Sequence, residues 1–274
     1  MYDHCSPKDL IACSNRMEAA MSQLESWASK SYLLINGDKT KQMLLTTSQM
    51  SKAHNIGEFA PTLFVGGQAI EKVKTLKLLG TWINENLKLS DHIKHVLSSC
   101  YGVSSTLRKI RNLAQPHVKK QLAECLVLSK LQFNDVVCFP LPIYLQKKIQ
   151  KVQNSAASFV VNRYATEEDV LKLGWLPTKE RTELNLLRAT HHAMYNPSWP
   201  EYLKVEKREP KRLLRSNKAP LLVVPLIKGT FQDSISSLFN EVPAQTRSCS
   251  DLSSYIRQVK NILKERATER TRCS

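Results

Sequence analysis

Regular spacing of apolar residues from Ser90 onwards constrains the fold more than any other feature of this chain. Apolar residues recur there at three- and four-residue steps, which places them on one face of an α-helix. Prolines divide the stretch, because proline breaks a helix interior. We therefore predict a series of amphipathic helices that begin at Ser90, Pro116, about Leu145 and about Thr178.

The residues before Ser90 have a mixed pattern. Ser6 and Pro7 are typical of a helix start, and the apolar spacing that follows predicts a helix to about Ser29 with Trp27 on its buried face. Turn residues such as Gly66 then separate short apolar runs. The strands predicted from these runs are residues 32–35, 42–46, 63–65 and 68–73.

The last part of the chain is interrupted by proline. Five prolines between residues 196 and 228 predict loops and short pieces. Two further helices are predicted at residues 231–239 and 250–264, and the polar tail 265–274 is predicted to fray. The pattern as a whole predicts an α+β protein that is mostly α, divided into residues 1–88, 89–195 and 196–274.

The strong positive charge indicates a class of partner. The 274 residues carry a formal net charge of +16 at pH 7. The commonest physical cause of such a charge is a polyanion, either nucleic acid or an acidic membrane face. The alternative is a basic protein without such a partner.

Cysteine usage and hydropathy indicate the cellular compartment and the kind of partner. The seven cysteines cannot all pair within one chain, and none stands in a C-x-x-C pair. Reduced thiols in the cytoplasm or nucleus are the simpler interpretation, and we propose no metal site. No apolar run approaches the roughly 18 residues that span a membrane. We expect nucleic acid, and no membrane, as the partner.

Basic residues cluster in two places. Such clusters are typical of contact with a nucleic-acid backbone, although solvated helix faces often have the same composition. Lys151, with Lys147 and Lys148, is predicted only to face outward from the third helix. The predicted contact residues are Lys94, Arg108, Lys109, Arg111, Lys119 and Lys120 in the first cluster, and Lys204, Lys207, Arg208, Lys211, Arg212 and Arg215 in the second.

Several short motifs follow one another along nearly the whole chain. They are Asn36-Gly37-Asp38-Lys39-Thr40, Leu78-Leu79-Gly80, Asp91-His92-Ile93, Leu173-Gly174-Trp175-Leu176-Pro177, Pro200-Glu201-Tyr202-Leu203 and Phe239-Asn240-Glu241-Val242-Pro243. Their order resembles the reverse transcriptases of non-LTR retrotransposons, the jockey and CR1-like LINE group. The resemblance implies that residues 1–88 are the end of a polymerase palm, 89–195 a helical thumb, and 196–274 a basic and helical region after it.

The same resemblance implies roles for three residues. Lys39 falls in the motif lettered D, where a lysine near the incoming triphosphate offsets charge on the leaving pyrophosphate or donates a proton to it. The alternative is a solvent-facing turn lysine. Leu79 and Gly80 fall in the motif lettered E, a tight turn beside the primer end, although any hairpin favours this pair.

The chain departs from the polymerase pattern in its carboxylates. Nucleotide transfer uses metal ions held by carboxylates, so the complete polymerase would need Mg²⁺. The family's aspartate pair would lie upstream of Met1, and Asp3 has no acidic neighbour. We therefore expect a C-terminal fragment of an RNA-directed DNA polymerase that contacts RNA or DNA, preferably an RNA–DNA duplex, but is inactive alone and has no cofactor of its own.

Two alternatives remain open. The chain is an active polymerase once another chain supplies the missing part, or it is a helical scaffold or decayed product with no nucleic-acid role. Without the upstream part of the palm, its strands would have open edges, which favours self-association.

Overall fold

The chain forms two compact units. The computed structural model describes residues 1–56, 61–208 and 219–272, and it divides into Met1–Lys94 and His95–Ser274. Most described residues are helical and the strands are short, which confirms an α+β fold that is mostly α.

The first unit combines one long helix with short strands. A 3₁₀ turn over Pro7–Asp9 leads into the helix α1, Leu10–Lys30, and a second 3₁₀ turn covers Gly37–Lys39. The long helix α3, Ser90–Lys109, begins in this unit and continues into the next. The elements are α1 Leu10–Lys30, β1 Lys41–Gln42, α2 Ser48–Ala53, β2 Phe64–Val65, β3 Gln68–Ala69, β4 Glu71–Lys72, β5 Thr75–Leu78, β6 Thr81–Asn84 and α3 Ser90–Lys109.

The core of the first unit is small. Buried Leu63, Val65 and Ile70 of the hairpin region pack against Met17 and Met21 of α1. The prediction that Trp27 lies on the buried face is wrong, because 58% of it is exposed. The short β2–β3 hairpin covers only part of α1.

The first unit has fewer strand residues than predicted. Residues 32–35 form no strand, because the chain ends α1 in a Schellman motif. Tyr32 takes a φ of +56°, and the Leu33 amide donates to the Ala28 carbonyl at 2.8 Å. Only Gln42 of the predicted strand 42–46 is in a strand, where β1 pairs in parallel with β4.

The second unit is built from helices. The chain passes from α4, Pro116–Ala123, through one π-helical turn, Glu124–Leu128, into α5, Ser129–Gln132. A 3₁₀ turn covers Glu201–Leu203. Besides the later turns of α3, the helices are α4 Pro116–Ala123, α5 Ser129–Gln132, α6 Ile143–Val161, α7 Glu167–Lys172, α8 Thr178–Tyr195, α9 Phe231–Glu241, α10 Ala244–Arg247 and α11 Leu252–Arg272.

One large apolar core joins the later helices of this unit. Leu186 and Leu187 of α8 pack with Ile235 of α9 and Val259 of α11, and all four are almost completely buried. The core therefore includes residues on both sides of the predicted boundary between 195 and 196. The division of the chain into residues 1–88, 89–195 and 196–274 follows the expected functional parts of a polymerase, and it stays a prediction.

The last helix is longer than predicted. It was expected to end near Lys264, but α11 runs to Arg272. Ala267 is fully buried, and Arg270 Nη1 donates to Glu180 Oε1 at 2.6 Å. The prediction of a frayed tail is therefore wrong as far as Arg272, because burial and an ion pair hold these turns.

Trp175, in the motif Leu173-Gly174-Trp175-Leu176-Pro177, lies in the core. The side chain is buried, and its Nε1 donates to Glu124 Oε1 at 2.7 Å. The indole therefore anchors the segment before α8 to the π-helical turn.

Candidate nucleic-acid interface

A basic groove lies between α3 and α6 in the second unit. Its volume is about 570 Å³. The α3 side presents Ser104 and Arg108, which are one helical turn apart, and Arg111 follows the helix end. The α6 side presents Lys151, Asn154, Ser155 and Ser158, whose spacing of three and four residues places them on one helix face.

Apolar side chains close the bottom of the groove. Leu107 of α3 and Phe159 of α6 line it and are both 5% exposed. Leu107 lies about one helical turn after Ser104, and Phe159 lies about one turn after Ser155. Each helix therefore presents both an apolar strip and a polar strip to the other. The groove is therefore part of a packed helix interface.

A left-handed residue shapes one end of the groove. Asn162 ends α6 with a φ of +58°, a conformation that asparagine adopts more readily than most residues. The chain therefore turns sharply and places Arg163 and Tyr164 in the lining. The Arg163 Nη1 donates to the Tyr164 carbonyl at 3.0 Å, which fixes the backbone there.

Three cations of the groove have neutral hydrogen-bond partners or none. Arg108 Nη2 donates to Ser155 Oγ at 3.4 Å, and Arg111 Nε donates to Asn162 Oδ1 at 3.2 Å. Within the described ranges, neither they nor exposed Lys151 form an ion pair with a carboxylate. Their charges therefore add to a positive potential in the groove.

Arg163 differs from the other groove cations because it is neutralised. Its guanidinium forms a two-pronged ion pair with Asp169, with one bond of 2.9 Å from Nη1 to Oδ2 and a second bond from Nη2 to Oδ1. The hydrogen bond from Arg163 lowers the pKa of Asp169 to about 2. Arg163 therefore positions the end of the groove and adds little net charge.

The other residues of the first predicted cluster lie outside the groove lining. Lys94 belongs to the first unit and pairs with Asp91 at 3.1 Å. Lys109 is exposed on α3, and Lys120 lies 4.0 Å from Glu124. Lys119 is only 2% exposed, and its Nζ donates to Asn162 Oδ1 at 2.9 Å.

The second predicted cluster is described only in part. Lys204 pairs with Glu201 at 3.7 Å, and Lys207 Nζ lies 5.3 Å from the centre of the Tyr195 ring. The Arg208 amide donates to the Leu221 carbonyl at 2.8 Å, and its side chain is exposed. The remaining predicted residues, Lys211, Arg212 and Arg215, lie outside the described residues.

The polymerase-like residues lie in turns of the first unit. Lys39 is exposed at the end of a 3₁₀ turn, and its amide donates to Asn36 Oδ1 at 3.0 Å. Leu79 and Gly80 form the two-residue loop between β5 and β6, with φ values of +46° and +87°. Two positive φ values match the type I′ turn that twisted hairpins favour, so the local fold alone accounts for Gly80.

The donor set described in this chain does not fit a magnesium centre for nucleotide transfer. Such a centre needs clustered carboxylates, and the described ranges hold no group of three or more His, Cys, Asp or Glu side chains placed to bind a metal ion. Asp3 already pairs with Arg16 at 2.7 Å. No catalytic step is therefore assigned to Lys39.

Two cations of the groove were not among the predicted contacts. Lys151 was predicted only to face outward from its helix, and Arg163 was not singled out. A signal was present in the sequence, because Lys151, Asn154, Ser155 and Ser158 form a polar strip at helical spacing. That strip borders a groove only because α3 lies beside it.

Comparisons of the chain with protein-family models, curated proteins and solved structures found no match. The resemblance to non-LTR reverse transcriptases therefore rests on the short motifs alone. None of the helices in the described ranges is both long and apolar enough to cross a lipid bilayer.

Proposed function

We propose that this chain binds the phosphate backbone of RNA or DNA through the α3–α6 groove, as a non-catalytic part of a non-LTR retroelement reverse transcriptase. The observation that carries the proposal is the set of groove cations, Arg108, Arg111 and Lys151, without carboxylate partners among the described residues. The polymerase assignment is supported by the order of the sequence motifs. Binding would occur in the cytoplasm or nucleus, where such elements meet nucleic acid.

These cations can hold a nucleic acid by its phosphates without recognising its bases. Arginine and lysine on a rigid element fix a nucleic-acid backbone but carry no sequence information themselves. Arg108 and Lys151 lie on long helices, and a hydrogen bond to Asn162 restrains Arg111. The proposed binding is therefore indifferent to sequence.

Salt dependence provides the test. Binding of a labelled RNA–DNA duplex, followed by fluorescence anisotropy, should weaken as salt rises, with a slope of about 0.7–0.9 per neutralised phosphate in log affinity against log salt. The triple variant Arg108→Gln, Arg111→Gln and Lys151→Gln should reduce that slope by about 2–3.

A matched control separates the groove from overall charge. The variant Lys147→Gln, Lys260→Gln and Lys264→Gln removes the same charge from exposed positions outside the groove lining. Its slope should change less than that of the groove variant. Equal slopes for the two variants would reject the groove as the binding site, and no binding of either the duplex or a single strand at low salt would reject the function.

Self-association through the first unit is a second candidate role. Each sheet described there has only two strands, so strand edges are left unpaired. Tyr32, Leu34 and Trp27 are exposed in the same unit. Sedimentation velocity should show dimers or larger species whose population is little affected by salt, and a monomer at all concentrations would contradict this role.

A further inference from the structure

A buried serine hydroxyl at the groove lacks a hydrogen-bond partner in the part of the chain that the structure describes. Ser104 is 6% exposed, and its Oγ forms no hydrogen bond to any described residue. A serine inside a helix commonly donates to the carbonyl four residues earlier, as Ser158 does to Asn154 at 2.8 Å. An unpartnered buried hydroxyl costs free energy, so rotation of the Ser104 side chain toward a ligand in the groove that it lines would be favourable.

The cations around this hydroxyl suit a phosphate group. Arg108 lies one helical turn from Ser104, and Arg111 lies one turn further. Guanidinium groups bind phosphate oxygens in pairs of parallel hydrogen bonds, and a hydroxyl adds a further donor. Lys151 supplies a point charge from the α6 side.

A buried lysine behind the groove adds to the attraction. The Lys119 ammonium is bonded to the same neutral oxygen, Asn162 Oδ1, as Arg111. Burying a charge beside a neutral partner is costly. An anion in the neighbouring groove would offset part of that cost.

The groove has the size of a small-ligand site. Its volume of about 570 Å³ falls in the range of roughly 300–1,000 Å³ typical of such sites. A double helix would reach only the rim, whereas a nucleotide of a single strand would enter. Tyr164 lines one end and is 83% exposed, so its ring is open for a base to stack on it.

We infer that the groove binds single-stranded nucleic acid by enclosing one nucleotide, with the phosphate at Ser104, Arg108 and Arg111 and the base against Tyr164. The inference rests on the proposed function and specifies the form of nucleic acid that this site takes. The same phosphate chemistry occurs in free nucleotides, and the experiment separates the two sources.

The first experiment measures binding of a labelled 12-nucleotide single strand to the protein. Unlabelled adenosine monophosphate is then added as a competitor. The Ser104→Ala variant should weaken strand binding by about 10-fold or more, because a hydrogen bond to a charged group is lost. The control Ser105→Ala, one position along α3 and exposed, should bind as the wild type does. A purely structural role for Ser104 would instead lower the melting temperature, which we expect to stay equal or rise.

The base contact has its own variants. Tyr164→Ala should weaken binding of the strand roughly 10-fold, and the control Tyr202→Ala, which is 79% exposed outside the groove lining, should not. Ultraviolet cross-linking of a 4-thiouridine strand to the wild-type chain should label the peptide containing Tyr164. Labelling only at other peptides would overturn the inference without relying on any variant.

The outcomes distinguish the nucleotide site from the more general proposal that the α3–α6 groove binds a nucleic-acid backbone. Salt-dependent binding that is unchanged by Ser104→Ala and Tyr164→Ala overturns the nucleotide site and leaves the general proposal standing. Absence of binding to both single strand and duplex overturns both. Adenosine monophosphate that competes at the concentration of the strand itself overturns the single strand as the ligand.

Discussion

Replacing Arg270 by methionine tests how the last turns of α11 are held to the second unit. The Arg270 guanidinium donates to Glu180 Oε1 at 2.6 Å and to Glu167 Oε2 at 2.9 Å. Glu180 is only 1% exposed, and Arg270 is its ion-pair partner among the described residues. Methionine keeps most of the apolar stem and removes the charge.

The expected loss follows from the burial of Glu180. Removing one partner of a buried ion pair costs about 3–5 kcal/mol, because the other charge is left uncompensated. The Arg270 side chain is 40% exposed, so water can reach the vacated position and reduce the cost. We therefore expect the free energy of unfolding to fall by about 2–3 kcal/mol.

Urea unfolding followed by circular dichroism measures this loss. The control Lys264→Met changes an exposed lysine of the same helix that forms no ion pair in the described ranges, and it should cost less than about 0.5 kcal/mol. Adding Glu180→Met to Arg270→Met should recover part of the loss, because the buried charge is then removed. Equal stability of Arg270→Met and Lys264→Met would refute the reasoning.

Three further predictions concern pH, thiol reactivity and domain stability. Burial lowers the pKa of the His191 imidazole, so the unfolded chain takes up a proton first as pH falls, and stability is lost below about pH 6.5. The melting temperature should therefore drop between pH 7.5 and 5.5. The drop should be smaller in His191→Phe. Burial raises the pKa of the Cys100 thiol to about 11, so iodoacetamide at pH 8 should label exposed Cys125 first, and equal labelling by mass spectrometry would contradict this. Limited trypsin digestion should cleave the first unit before the second, whose core is larger, and the reverse order would argue against that ranking.

Local patterns predicted the helices well because their signals are contained in a few consecutive residues. Pro116 and Thr178 were expected to start helices, and they do. The strand prediction at residues 32–35 failed because a cap competes with a strand, and the hydrogen bonds of the Tyr32 cap are not visible in an apolar run. Trp27 was assigned to a buried face that the short hairpin does not cover.

The candidate site was only partly predictable. Arg108 and Arg111 were chosen for their charge, and they do line the groove, whereas Lys119 was chosen for the same reason and is buried behind it. Lys151 borders the groove from a different helix. Charge is a property of one residue, but a groove is a property of two helices that are far apart in sequence.

Taken by itself, the sequence determined that this chain is basic, mostly helical and divided by prolines, because helix periodicity and charge are local quantities. Only the tertiary structure decided that α3 and α6 enclose a groove, that Ser104 is buried there with no hydrogen-bond partner among the described residues, and that Glu180 holds the last turns of α11 through Arg270. These features depend on packing between distant segments, and packing decides which polar groups lose water and which cations keep no carboxylate partner.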